Sequence, residues 1–410
     1  MADGLTRREL LRGSSLIAVG LVAPRWLSTI AKADVIRQAK GLKNAKDTVL
    51  VVCQFSGGND GLNTVVPYAT RAYYDARPTL GIPENSVLKL NDQVGFHPAL
   101  KELRDLYKEG KVAVIQNVGY PNPNRSHFKS MDIWQSASPD SSLKYGWIGR
   151  HFDEQLANGS LNPVVALGLS TEKPLALTGQ KASIPCFASL VDIQTMLGDS
   201  DSEQMLRNIQ GADGAAGSNQ LVVQQASKTA LDAMSVLNKQ LAGYAPKQDY
   251  GQHAFGAGFK QMAQIIATSP ATRVLYFANG GFDTHARQQA TQEALLDGFS
   301  KGIMAFQREM ESLGKADKVI VLVFSEFGRR VSENGSAGTD HGTAAPMFVI
   351  GSRVKGGLHG PIPDLSDLDG NGDLKFKVDF REVYAATLDE WIGGDSEVVL
   401  GQKFQHAEVL

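Results

Sequence analysis

Two cysteines in 410 residues exclude a disulfide-built scaffold, leaving at most one bridge between Cys53 and Cys186. No charge of one sign prevails. The chain has 41 basic and 43 acidic residues, which argues against nucleic acid or an anionic membrane surface as a partner. There is also no apolar run near the ~20 residues that a membrane-spanning helix requires. The glycine-rich turn that follows the apolar run Val49–Phe55, Ser56-Gly57-Gly58-Asn59-Asp60-Gly61, has its glycines at the wrong offsets for a dinucleotide fingerprint. A dehydrogenase reading fails on that ground.

What is present begins at the amino end. Arg7-Arg8 precede an apolar run, Leu16–Ala23, and then Ala31-Lys32-Ala33. A paired-arginine segment, a short apolar core and a small-x-small cleavage site make residues 1–33 a twin-arginine signal peptide. The expected location is therefore the periplasm or outside the cell, with the twin-arginine translocase as a partner during export. Such substrates cross the membrane folded, often after cofactor insertion, which raises the expectation of a metal. Residues 34–410 carry 36 basic and 41 acidic groups and are read as a single α/β domain. Residues 201–220, rich in Gly, Ala, Ser and Asp, read as a mobile insertion.

Apolar runs rich in β-branched residues mark buried strands at Val49–Phe55, Lys111–Gln116, Arg273–Ala278, Val319–Phe324 and Met347–Ile350. Shorter strand-like pieces lie at Val164–Leu169 and Pro174–Leu177. Helical periodicity fits His97–Gly110, the segment after Ser126, Leu221–Leu241, Ala254–Ala267, Gln288–Leu313 and the stretch after Asp379. Strands alternating with helices predict a mostly parallel central sheet with helices on both faces.

Polar residues gather where these strands stop, and in such sheets ligands bind outside the carboxyl ends. Asp60 follows the first strand; Asp283 and His285 follow Arg273–Ala278; Glu326 and Arg329 follow Val319–Phe324. Asp340 and His341 close the loop before Met347–Ile350. Acids with imidazoles suit a metal or acid/base cluster, although a turn-rich surface loop with solvated acids has the same composition. Ser126, between Arg125 and His127 at a helix start, is an N-cap by residue type. It is also the best-placed nucleophile, because a helix start favours an oxyanion. Asp367-Leu368-Asp369-Gly370-Asn371-Gly372-Asp373 imitates half of a calcium loop but has Val378 where the bidentate Glu belongs, so it is read as a polar turn.

Six ordered motifs, SGGNDGLNTVVPY, RSHF, GGFDTH, FSEFGR, TDHG and DFREVYAATL, resemble the bacterial family called domain of unknown function 1501. That family is similar to the alkaline phosphatase and sulfatase superfamily, which implies two metals and a nucleophile at a helix start. The resemblance implies Ser126 as nucleophile, with Arg125 or Arg329 holding oxyanion oxygens. It implies Asp283, His285 and His341 at one divalent ion, and Asp60 and Glu326 at a second. Phe327 stands where relatives have a histidine ligand, so the second ion lacks a nitrogen unless His127 or Asp340 supplies a ligand. The expected function is an exported hydrolase of phosphate or sulfate esters, using one or two ions of Zn, Mn or Ca on a small or envelope-derived anionic ester. The alternative is a non-catalytic exported protein that binds envelope material through a degenerate metal site.

Overall fold

The computed structural model describes residues 47–156, 161–191, 193, 219–241 and 243–410. The expected signal peptide and most of the expected insertion lie outside these residues. The main sheet contains β1 (Val49–Phe55), β5 (Val112–Gly119), β6 (Ala166–Leu169), β7 (Cys186–Phe187) and β8 (Val274–Asn279). It is completed by β9 (Val319–Ser325), β10 (Ala345–Ile350), β11 (Gly357–His359) and β12 (Val378–Asp379). A small antiparallel sheet joins β2 (Val65–Val66), β3 (Leu88–Lys89) and β4 (Gly95–Phe96).

In space the main order is β11-β5-β10-β9-β1-β8-β6-β7, with β12 also paired to β5. β10 alone runs against its neighbours; every other pairing in this sheet is parallel. β1 therefore lies between β8 and β9, in the buried middle of a parallel set, and all seven of its residues are buried. Its alternation sends Val49, Val51, Cys53 and Phe55 to one face and Leu50 and Val52 to the other.

Helices cover both faces. Packed with the Val51 face are α2 (Lys101–Lys108), α5 (Asn219–Leu241), α6 (Ala254–Thr268) and α7 (Gln288–Ser312). The Leu50 face packs with α3 (His127–Ser136), α4 (Trp147–Leu156), α8 (Phe380–Ala386) and α9 (Ser396–Leu400). A short α1 (Arg71–Ala76) follows the small sheet's first strand. Each face buries aromatic groups: Phe55 stacks on Phe282 at 4.6 Å on one, and Trp134 stacks on Phe380 at 4.3 Å on the other.

One expectation needs correction. Pro174–Leu177 is not a strand but a 3₁₀ turn over Leu175–Leu177, led by Pro174, whose missing N–H cannot join a ladder. The helix capped by Asp379 changes to a π-helical turn at Thr387–Ile392. Cys53 and Cys186 are both free thiols, Cys53 within β1 and Cys186 in β7. Among the described residues no helix is long and apolar enough to cross a membrane.

Candidate metal centre

The carboxyl ends of β1, β8, β9 and β5 meet at one edge of the sheet, together with the amino end of the antiparallel β10. Four loops leave from there: Ser56–Asp60, Gly280–His285, Glu326–Arg329 and Tyr120–Ser126. The β9–β10 loop returns through Asp340 and His341. Gly57, at φ +119°, lets the first two loops touch, since a Cβ there would lie 2.5 Å from the Asp283 backbone nitrogen.

Asp283 Oδ1 is the hub. The Nε2 atoms of His285, His341 and His127 lie 3.0, 3.2 and 3.4 Å from it. His285 Nε2 and His341 Nε2 are themselves 3.0 Å apart. His127, Asp283 and His341 form a group whose donor atoms all lie within 4.8 Å of one another.

The opposite nitrogen of each ring is already engaged. His127 Nδ1 donates to Glu326 Oε1 at 2.9 Å, His285 Nδ1 to Asp340 Oδ1 at 3.1 Å, and His341 Nδ1 to the Arg125 carbonyl at 2.7 Å. Carboxylates and carbonyls only accept, so each Nδ1 carries a proton, and any ring left neutral has its Nε2 lone pair toward the hub. Three lone pairs and a carboxylate oxygen at these separations repel one another unless a cation or extra protons lie among them. Asp283 is already matched to positive charge. Burial works against its carboxylate, but the Arg329 guanidinium, at 2.7 Å, and His341 outweigh that and lower its pKa to about 2. The hydrogen bond to Glu326 raises the pKa of His127, while burial lowers that of His341.

Several residues expected in this site hold other posts. Asp60 does not face the hub. It is completely buried in an ion pair with Arg77 Nη1 at 2.6 Å and also accepts from Gln288 Nε2. Glu326, equally buried, is turned to protein donors: its Oε1 accepts from the Gly57 N–H at 2.8 Å as well as from His127. Asp340 holds His285 and is itself held by Asn334 Nδ2 at 3.1 Å. Arg329 is buried, with its donors on the carbonyls of Gly57, Gly58, Phe282 and Thr339 besides Asp283, so no oxyanion can take its fork. Arg125 is closed onto Asp373, with Asp369 at 3.6 Å. Ser126 is exposed at the N-cap of α3, and its hydroxyl caps no backbone N–H.

Phe327 is buried with its ring centroid 4.8 Å from that of His127 and 4.7 Å from that of His341. A ring that cannot ligate thus packs against two that can. His127, from α3, brings an imidazole nitrogen into the same group as Asp283 and His341. A cleft of about 550 Å³ lies elsewhere, lined by Leu161, Val165, Ile184 and Val236, and no comparable cluster of imidazoles and acids lines it.

Fold and cluster together define an α/β protein with a histidine–aspartate group of metal-ligand type at the carboxyl edge of its sheet. Residues 45–401 match the model of the family described as "Protein of unknown function (DUF1501)", and the chain belongs to that family. No curated protein matches it. Among solved structures, the chain is similar to the PsFucS1 sulfatase from Pseudoalteromonas sp. (9% identity, 94% of this chain and 75% of that one, TM-score 0.38). It is also similar to the zinc complex of the C-terminal periplasmic domain of Escherichia coli EcEptC (8%, 75% and 73%, TM-score 0.37). A third is the alkaline phosphatase of the Antarctic bacterium TAB5 (10%, 75% and 92%, TM-score 0.31). Likeness this distant assigns neither activity nor ligand.

Proposed function

We propose that the chain is an exported, metal-dependent hydrolase of anionic esters, phosphate or sulfate, built on one divalent cation held by His127, Asp283, His285 and His341. The observation that carries the reading is the shared orientation of the three imidazoles, each with Nδ1 tied to an acceptor and Nε2 turned to Asp283. Donor chemistry favours zinc, which takes imidazole nitrogen and carboxylate oxygen in fourfold sets. Manganese is the next choice; calcium, which wants six to eight oxygens, fits poorly. The reading takes one ion rather than two because Asp60 and Glu326, expected at a second, pair with Arg77 and His127.

A divalent cation at such a centre supplies positive charge that attracts an anionic ester and polarises its oxygen. The chain's own groups do the rest. Glu326, Asp340 and the Arg125 carbonyl keep the rings in one tautomer. Arg329 keeps Asp283 ionised. Ser126 Oγ, beside His127 at the start of α3, is the attacking group: its bond to phosphorus or sulfur forms as the bond to the ester oxygen breaks, its proton passing through solvent to the departing alcohol, and water then attacks the same centre to free Ser126 and the inorganic anion. The substrate class is a small or envelope-derived ester met in the periplasm after export by the twin-arginine translocase.

The test is a panel of aryl phosphates, phosphodiesters and aryl sulfates with zinc-loaded wild type and Ser126→Ala. We expect Ser126→Ala to keep its metal and lose turnover by several orders of magnitude. Equal rates would remove Ser126 from the chemistry. One observation favours a second reading: four protein donors can saturate zinc, and neither Arg125 nor Arg329 is free for an oxyanion. A non-catalytic protein that binds envelope material would show bound metal with no turnover of any ester.

A further inference from the structure

The turn Asp367–Leu374 has no part in the chemistry above, yet it contains a fully buried carboxylate. Asp373 has a side chain 0% exposed, and its close partner is Arg125 Nη2. Asp369 Oδ2 lies 3.6 Å from the same guanidinium nitrogen, and Arg330 Nε lies 4.0 Å from Asp373 Oδ1. The turn is locked internally: Asp369 Oδ1 accepts from the N–H groups of Asn371 and Asp373, at 2.8 and 2.9 Å. It is also tied to the strand-end loops, because Thr343 Oγ1 donates to the Leu374 carbonyl. The resemblance to a calcium loop is therefore only of sequence. Its acids are taken by cations of the chain itself: Asp367 by Lys375 and Lys377, Asp369 and Asp373 by Arg125.

Arg125 faces two ways. Its guanidinium enters this acidic turn, while its backbone carbonyl accepts the Nδ1 proton of His341 at 2.7 Å. His341 has no carboxylate on Nδ1, unlike His127 and His285, so its orientation depends on where that one carbonyl sits. The carbonyl directly follows an exposed proline-containing loop, Pro121–Asn124, whose last residue is held by Tyr120 Oη and accepts from the Ser126 N–H at 2.9 Å.

We propose that Asp373 is a positioning residue for the metal centre: by gripping Arg125 it fixes the carbonyl that holds His341 with Nε2 toward the metal. This rests on the single-ion reading given under Proposed function. Outer partners of a ligating histidine set its tautomer and tune affinity by about 10–100-fold. Asp373 acts one link further out, so about tenfold is expected.

The test uses the full chain with Asp373→Asn, Arg125→Gln and, as control, Asp367→Asn, which disturbs the same turn without touching Arg125. Two quantities are read: the zinc dissociation constant by chelator competition, and the ring ¹⁵N shifts of the eight histidines in the metal-free protein. We expect wild type and Asp367→Asn to show His341 as the Nδ1–H tautomer with equal affinity. Asp373→Asn and Arg125→Gln should each show mixed tautomers and about tenfold weaker zinc, and the double variant should be no worse than either single one. If burial makes Asp373→Asn fail to fold, the more exposed Arg125→Gln carries the test alone. Arg125→Gln with the tautomer and affinity of wild type would overturn the proposal. Should wild type bind no zinc, the metal reading falls, and the tautomer measurement still decides the role of Asp373.

Discussion

Asp60 and Asp283 begin from nearly the same position and end in opposite states. Each follows a glycine-containing turn at the carboxyl end of a parallel strand, and the two strands, β1 and β8, are hydrogen-bonded neighbours. Asp60 is sealed: its side chain is 0% exposed and ion-paired with Arg77, which also bonds the carbonyls of Val331 and Arg330. Asp283 is 47% exposed and surrounded by three imidazoles. The difference lies in the partner that reaches each carboxylate, not in the turn that presents it. A guanidinium brought by α1 closes one; histidines arriving from α3 and two loops leave the other open. The same contrast runs through the neighbouring histidines. His97 is buried near Asp60 with Nδ1 accepting from the Ala99 N–H at 3.1 Å, and burial lowers its pKa to about 4. His127, on the open side, has its pKa raised by Glu326.

The sealed side should fail by unfolding. Arg77→Met leaves the Asp60 charge buried without its partner and should cost about 3–5 kcal/mol in urea denaturation, the largest effect we expect. A loss below about 1 kcal/mol would mean that Asp60 is not held as described. Next comes acid. His97 in the folded chain resists protonation until about pH 4, whereas in the unfolded chain it takes a proton near 6.5. Unfolded protein thus binds more protons between these limits, and stability, complete above pH 6.5, should fall as pH drops to about 4. The total is about 3 kcal/mol at 1.36 kcal/mol per unit. His97→Gln should flatten that part of the stability–pH curve; an unchanged slope would assign the effect elsewhere.

The open side should fail by losing metal while staying folded. Glu326→Gln keeps the shape of the side chain but weakens its hold on His127 Nδ1. It should loosen zinc by about 10–100-fold, read by chelator competition. An unaltered dissociation constant would remove Glu326 from support of the centre.

How far the sequence could be read follows from the same contrast. The buried strands and their common polar edge are written in local pattern: apolar runs at period two, then glycine and acid. Asp283, His285 and His341 were legible for that reason, since each sits beside a strand end. Asp60 and Glu326 were legible as carboxylates at the edge but not by role. Whether such a group meets an ion, a guanidinium or an imidazole N–H depends on chain far away, Arg77 for one and His127 for the other. His127 was visible as a companion of Ser126 and, beside Asp340, as a possible substitute for the nitrogen missing at Phe327; its place next to Asp283 is set by α3. Arg125 and Arg329 suggested oxyanion recognition because sequence shows a guanidinium but not the carbonyls and acids that occupy it. Asp373 carried the faintest signal, a polar turn like many others.

The central claim is one cation shared by His127, Asp283, His285 and His341, with Asp60 taking no part. Zinc titration of the chelator-stripped chain, followed by X-ray absorption of the loaded protein, tests it most directly. We predict one equivalent of zinc with three imidazole nitrogens and one carboxylate oxygen at about 2.0–2.2 Å, and loss of that equivalent in the His341→Ala, Asp283→Asn double variant. A second tightly bound equivalent, or undiminished binding in the double variant, would contradict the account.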